Sequence, residues 1–172
     1  SAADLALLPG IEVRSSGNLT LADNWDFMSG QWADNGIDWQ SDWRYGAGQL
    51  PGFLTLRAAG PLNVNASLSD AFANTSLPGQ EQQDLEAALG SKLLTKDLLQ
   101  PGLSWSYKLI AGQDVNLAAT HGDEQVKVRT GTGSIDIDAG GSIRFLPKSG
   151  NNQAAAAVYT MGTSALYSRS QL

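Results

Sequence analysis

The sequence predicts an all-β chain of short strands stacked as the coils of a parallel β-helix, with two excursions leaving the stack. The first observation is a repeat. Residues 11 to 21 read IEVRSSGNLTL, residues 54 to 64 read LTLRAAGPLNV and residues 135 to 145 read IDIDAGGSIRF. All three fit one eleven-residue template with apolar residues at its positions 1, 3, 9 and 11 and glycine at position 7. A window of average composition meets this template about once in a few thousand tries, so three matches mark a true repeat. The second observation is the period of two on either side of the glycine, which sends alternate side chains to one face of a strand. The third is the likeness of the corners RSSGN, RAAGP and DAGGS. Hairpins of an antiparallel sandwich, the other way to stack such strands, call for two-residue turns such as Asn-Gly. The Asn35-Gly36 pair lies outside the repeats.

Each unit therefore reads as strand, bend, strand. The corner glycines Gly17, Gly60 and Gly141 are expected to supply a positive φ at low cost. Strands this short need stacked neighbours to be stable. Two looser copies, YKLIAGQDVNLAA at 107 to 119 and VKVRTGTGSIDI at 126 to 137, read as units with corners of altered length. Ile135 and Ile137 close one unit and open the next, which makes 126 to 145 three successive strands with two bends. The tail, AAAAVYTMGTSALYSRSQL, offers one more strand around Val158 to Met161.

The excursions cover about 22–52 and 69–103. The first holds four of the five tryptophans. The second contains EQQDLEAALGSKLLTKDLL, whose Leu85, Leu89 and Leu93 recur at four-residue spacing and predict an amphipathic helix or two short ones, with Gly90 as the weak point and Pro101-Gly102 as the stop. At 172 residues the whole chain, 1–172, fits a single domain.

Composition narrows the function. Only 16% of residues are charged, 17 acidic against 11 basic for a net charge of -6, and no Lys/Arg run marks a surface for nucleic acid or anionic lipid. No apolar stretch of about 18 residues spans a membrane. The absence of cysteine removes disulfides, thiolate metal sites and cysteine nucleophiles, and suits export. The start SAADLALLPG lacks the features of a signal peptide, so export would depend on a signal outside this chain.

Candidate chemistry is sparse. His121, the only histidine, sits in ATHGDEQ near Asp123 and Glu124, without the positioned nucleophile and orienting partner that a general base needs. One histidine and no cysteine make a poor zinc site. Asp136 and Asp138 alternate with Ile135 and Ile137, so they point away from the core, where charged residues serve solubility; paired glycosidase carboxylates must flank a scissile bond. RTGTGSID lacks the Lys-Ser/Thr of a phosphate-binding loop. Asn18, Asn65 and Asn74 head glycosylation-type triplets that a Ser/Thr/Asn-rich composition produces by itself. In NWDFMSGQWADNGIDWQSDWRYG, Trp25, Trp32, Trp39 and Trp43 alternate with Asp26, Asp34, Asp38 and Asp42. These four tryptophans are the candidate ligand surface: exposed indoles beside carboxylates suit carbohydrate stacking, and buried ones would give the loop its own small core. Loop carboxylates also collect calcium, but no regular ligand spacing is present. No metal, cofactor or catalytic residue is expected.

GIEVRSSGNLTLADNWDF, PGFLTLRAAGPLNVNASLSDAF, SWSYKLIAGQDVNLAA, VRTGTGSIDIDAGGSIRF and AVYTMG, spread over about 10 to 163, resemble consecutive pieces of the filamentous haemagglutinin-like large exoproteins of Gram-negative bacteria. The resemblance implies a right-handed parallel β-helix shaft and export to the cell surface or medium. It also implies a structural, non-enzymatic role in adhesion, aggregation or biofilm. The family's N-terminal secretion domain with its Asn-Pro-Asn motif is absent, and the helical excursion is foreign to the shaft. The expected partners are flanking coils of a longer parent chain or further copies joined end to end into filaments, together with cell-surface glycans or matrix. The alternative is a carbohydrate-binding module or polysaccharide-active enzyme built on the same scaffold.

Overall fold

The computed structural model describes residues 8–32, 39–46, 48–73, 98–99, 102–118, 125–147 and 156–162. Their strands are β1 (Gly10–Ser15), β2 (Leu19–Leu21), β3 (Trp25–Asp26), β4 (Gly30–Trp32), β5 (Trp39–Ser41), β6 (Phe53–Ala58), β7 (Leu62–Val64) and β8 (Leu68–Ser69), followed by β9 (Phe72–Ala73), β10 (Leu98–Leu99), β11 (Ser106–Ala111), β12 (Val115–Leu117), β13 (Val126–Thr130), β14 (Ile135–Ala139), β15 (Ile143–Phe145) and β16 (Ala156–Thr160). No described residue is helical.

Twelve of these strands form three parallel sheets of four, in the orders β1-β6-β11-β14, β2-β7-β12-β15 and β3-β8-β13-β16. Chain order explains the pattern. Each successive triplet, β1 to β3, β6 to β8, β11 to β13 and β14 to β16, gives one strand to each sheet, so the chain winds four times past the same three walls. In the first two sheets the last winding takes 28 residues, as between Asp114 and Ser142, whereas the two that carry excursions take 43 and 53. Pairs β4-β5 and β9-β10 are antiparallel and form two-stranded sheets of their own.

The template's apolar positions become columns. Ile11, Leu54, Tyr107 and Ile135 are successive partners in the first sheet, as are Val13, Leu56, Leu109 and Ile137. In the second sheet the columns are Leu19, Leu62, Val115, Ile143 and Leu21, Val64, Leu117, Phe145. Trp25, Leu68, Val128 and Val158 make the main column of the third. Alternation puts these side chains inside and their neighbours outside, and the three walls close over one apolar interior. Each fully buried Leu or Val there contributes about 1.5–3 kcal/mol.

The structure alters two expectations about the corners. Unit 107 to 117 has the same corner length as the others: Val115 pairs with Leu62 and Tyr107 with Leu54, and only the glycine has moved, to Gly112. The corner glycines also serve a different purpose. Among the described residues the glycines at positive φ are Gly46, Gly102 and Gly162, none of them a template glycine. What the corners require is room. A Cβ on Gly60 would stand 2.7 Å from Asn18 Oδ1 and 3.2 Å from the Gly17 carbonyl carbon, and one on Gly112 or Gly140 would run into a carbonyl oxygen of the winding before it. At Gly112 and Gly140 the backbone of the winding before leaves no place for a side chain, and at Gly60 it crowds one.

Polar side chains bind one winding to the next. Asn24 accepts from the Ser67 N–H at 2.7 Å, Ser67 Oγ from the Lys127 N–H at 2.9 Å, and Asp114 Oδ1 from the Ser142 N–H at 2.8 Å. On the outside of the second sheet Asn116 Nδ2 donates to Asn63 Oδ1 at 3.0 Å. The expected helix over 81–99 lies mostly outside the described residues. Its last two residues, Leu98 and Leu99, are a strand opposite Ala73 and Phe72.

Candidate functional site

Of the four candidate tryptophans, Trp25 and Trp43 are half-buried and pack against the apolar interior. Trp25 meets Phe27 edge-on at 6.3 Å between ring centroids, and Trp43 meets Phe27 at 5.2 Å and Trp105 at 6.4 Å. Phe27 stacks on Trp105 at 4.6 Å. The Trp105 indole donates to the Trp43 carbonyl at 2.9 Å, and the Trp43 indole to Ser29 Oγ at 3.1 Å. These contacts make Trp25 and Trp43 part of an aromatic plug where the first excursion meets the windings. Trp32 and Trp39 stand directly opposite each other in the β4-β5 ladder.

Beneath the plug lies a buried ionic group with little trace in the sequence. Asp70, fully buried at the end of β8, accepts two hydrogen bonds from Arg44 Nη2, at 2.8 and 3.0 Å, and one from the Trp105 backbone N–H at 2.6 Å. Arg44, only 10% exposed, also reaches the Phe27 carbonyl at 3.3 Å. One ion pair thus joins the first excursion to the second and third windings. Nearby, Arg129 lies 4.2 Å above the Phe72 ring and donates to Ser69 Oγ at 2.8 Å and Tyr159 at 3.3 Å. Burial raises the Asp26 carboxyl above its ordinary value, against the pull of the Met28 N–H; Asp70 adds to the rise and Arg129 opposes it. Burial likewise drives the Tyr107 hydroxyl well up, and it has no hydrogen-bond partner among the described residues. The Asp70 carboxylate thus has its charge compensated where it stands, by a guanidinium and a backbone N–H.

The carboxylates considered for catalysis are on the outside. Asp136 and Asp138 are exposed on β14, and Asp138 lies 3.7 Å from Lys108. Arg144 pairs with Asp114 at 3.0 Å. Two carboxylates on one flat strand face do not straddle a cleft, which bond cleavage between an acid and a nucleophile requires. Among the described residues no three acidic or histidine side chains are placed to hold a metal. His121, Asp123 and Glu124 lie outside the described residues, as do Asp34 and Asp38.

The remaining candidate surface is the pair of stack ends. Ile143 and Phe145 on β15 are 44% and 49% exposed, whereas their column neighbours Val115 and Leu117 are fully buried. Leu146 and Met161 are exposed on the same winding. At the other end Ile11, Val13 and Leu19 are half-buried, and Gly17 has nothing within 4 Å of where a Cβ would stand. β14, β15 and β16 are terminal strands of their sheets, and so are β1, β2 and β3. Terminal strands carry unpaired backbone groups and invite further strands. The exposed continuation of buried columns was foreseeable from the repeat, whereas the Arg44–Asp70 pair was not, because its residues sit outside the template. Compared with protein-family models, curated proteins and solved structures, the chain gives no match.

Proposed function

We propose that this chain is a structural, non-enzymatic stretch of a secreted fibrous surface protein: a right-handed parallel β-helix that extends a rod and displays its excursions in adhesion, aggregation or biofilm. The observation that carries the reading is the continuity of the inward columns through four windings, with Ile143 and Phe145, the last members of the second sheet's columns, left half exposed. Parallel crossovers are right-handed in nearly all proteins, which supports the hand. The likeness of the corner signatures to haemagglutinin-like exoproteins supports the secreted, fibrous setting. The test is to incubate the purified chain with a panel of bacterial and plant polysaccharides and, separately, to coat beads with it. No new reducing or unsaturated chain ends should appear, and the coated beads should clump or adhere to cells. Cleavage that disappears in Asp136→Asn or Asp138→Asn would overturn the structural reading.

A second reading, sugar binding by the first excursion, is favoured by the placement of Trp32 opposite Trp39 in an antiparallel pair that is a sheet of its own. A glycan array decides it. Retention that is lost in Trp32→Ala and Trp39→Ala establishes a binding hairpin, and no retention removes it.

A further inference from the structure

We infer that the open edge of the last winding, β14 to β16, receives the first winding, β1 to β3, of a second copy, so that copies join head to tail in the register the chain already uses. The inference rests on the structural reading above. It starts from a corner with no corner before it. Gly60 and Gly141 face Asn18 Oδ1 and Asp114 Oδ1 of the winding before them, with backbone carbonyl carbons at 3.2 and 3.3 Å, Gly112 faces the Ala59 carbonyl, and in the third winding Gln113 takes the place of the template glycine, its N–H on the Gly60 carbonyl. Gly17 keeps the template's glycine although nothing lies within 4 Å of its Cβ direction and its φ is not positive. Its missing neighbour is a preceding corner.

The backbone defines which corner fits. Gly60 N–H donates to the Gly17 carbonyl at 2.9 Å, Gln113 N–H to Gly60 at 3.4 Å, and Gly141 N–H to Gln113 at 2.9 Å. This row runs in one direction and ends with the Gly141 carbonyl at one end of the stack and the Gly17 N–H at the other. Gly17 N–H meanwhile leans on Ser15 Oγ at 3.2 Å, a long bond that an incoming carbonyl replaces. Setting a second copy's Gly141 before Gly17 brings its Ile143 and Phe145 over Leu19 and Leu21, and its Ile135 and Ile137 over Ile11 and Val13. The half-exposed column ends are then covered by residues of their own kind. Outside, Asp138 comes opposite Arg14, a favourable pair, and Asp136 opposite Glu12, an unfavourable one beside the same arginine. Such a joint does not close on itself, so it adds copies indefinitely.

Polarity makes the joint testable by complementation. Gly17→Trp blocks the first winding, and Phe145→Asp blocks the last; both sites are open enough in the single chain to accept the change. In sedimentation, the mass of the unmodified chain should climb with concentration and each variant alone should stay single. An equal mixture of the two should stop at a pair, because one last winding and one first winding remain competent. An unmodified chain that stays single at high concentration, a Gly17→Trp chain that still grows, or a mixture that yields no pair overturns the joint. If the unmodified chain stays single yet melts and gives a β-type circular dichroism spectrum like the variants, the joint fails and the wound structure survives. Polysaccharide cleavage in the assay above removes the structural reading whether or not copies join.

Discussion

Gly112 and Gly17 occupy neighbouring places in the corner yet differ in what surrounds them. A Cβ on Gly112 falls onto the Ala59 carbonyl, which is backbone and cannot step aside, so Gly112→Ala should cost about 1–3 kcal/mol. Gly17→Ala should fall within about 0.5 kcal/mol of the unmodified chain. Equal losses in denaturant titrations would contradict the reading of the corners as close contacts. Asp26 gives a residue-scale prediction with a sign. Its carboxyl titrates above its ordinary value in the folded chain, so the folded state binds more protons than the unfolded one across that window, and stability falls as pH rises through it. Asp26→Asn keeps an acceptor for the Met28 N–H and removes the buried charge. It should raise the melting temperature at neutral pH, and the gain should vanish below the ordinary value of 3.8. A gain that persists in acid would point to another cause. Tyr107→Phe removes a buried hydroxyl without a partner among the described residues and should be neutral or stabilising by up to about 1 kcal/mol in the same titrations. The sequence shows that glycine belongs in the corner, but the reason, proximity of a corner 28 to 53 residues away, exists only once the windings are stacked.

At the scale of elements, the strands were legible because period two and the corner spacing are properties of neighbouring residues. Ile135, Ile137, Ile143 and Phe145 announce β14 and β15 without help from the rest of the chain. The Arg44–Asp70 pair was not legible, since its partners come from different segments and neither sits in a repeat. Its role is to latch the first excursion onto the windings. Arg44→Met leaves the Asp70 carboxylate in the interior with the Trp105 N–H as its remaining donor among the described residues and should cost about 3–5 kcal/mol. Adding Asp70→Asn should return part of that loss, because the amide oxygen still accepts from Trp105. A double variant no better than Arg44→Met in thermal unfolding would show that the loss comes from packing alone. Leu98 and Leu99 illustrate the limit of a periodic reading: the spacing of Leu85, Leu89 and Leu93 suggests a helix running on to Pro101, yet Leu98 and Leu99 pair with Ala73 and Phe72 as a short strand. Long-range pairing outweighs a weak local preference in so short a segment.

For the whole molecule, the choice between a sandwich and stacked windings could be argued from the sequence through the likeness of its corners, and the structure has the three parallel walls. The lengths of the excursions hide the winding, because equivalent residues stand 43, 53 and 28 apart and no fixed period appears. The account depends on windings lying directly over one another, and the cysteine-free chain allows a clean trap. Asn63 and Asn116 face outward on adjacent windings of the second sheet, and Arg144 stands one winding further. Neighbouring parallel strands lie about 4.8 Å apart, within the Cα separation that a disulfide bridges, whereas two windings exceed it. Under mild oxidation Asn63→Cys/Asn116→Cys should close an internal disulfide with its melting transition intact, and Asn63→Cys/Arg144→Cys should stay reduced. A first pair that remains open, or a second that closes as readily, would contradict the stack.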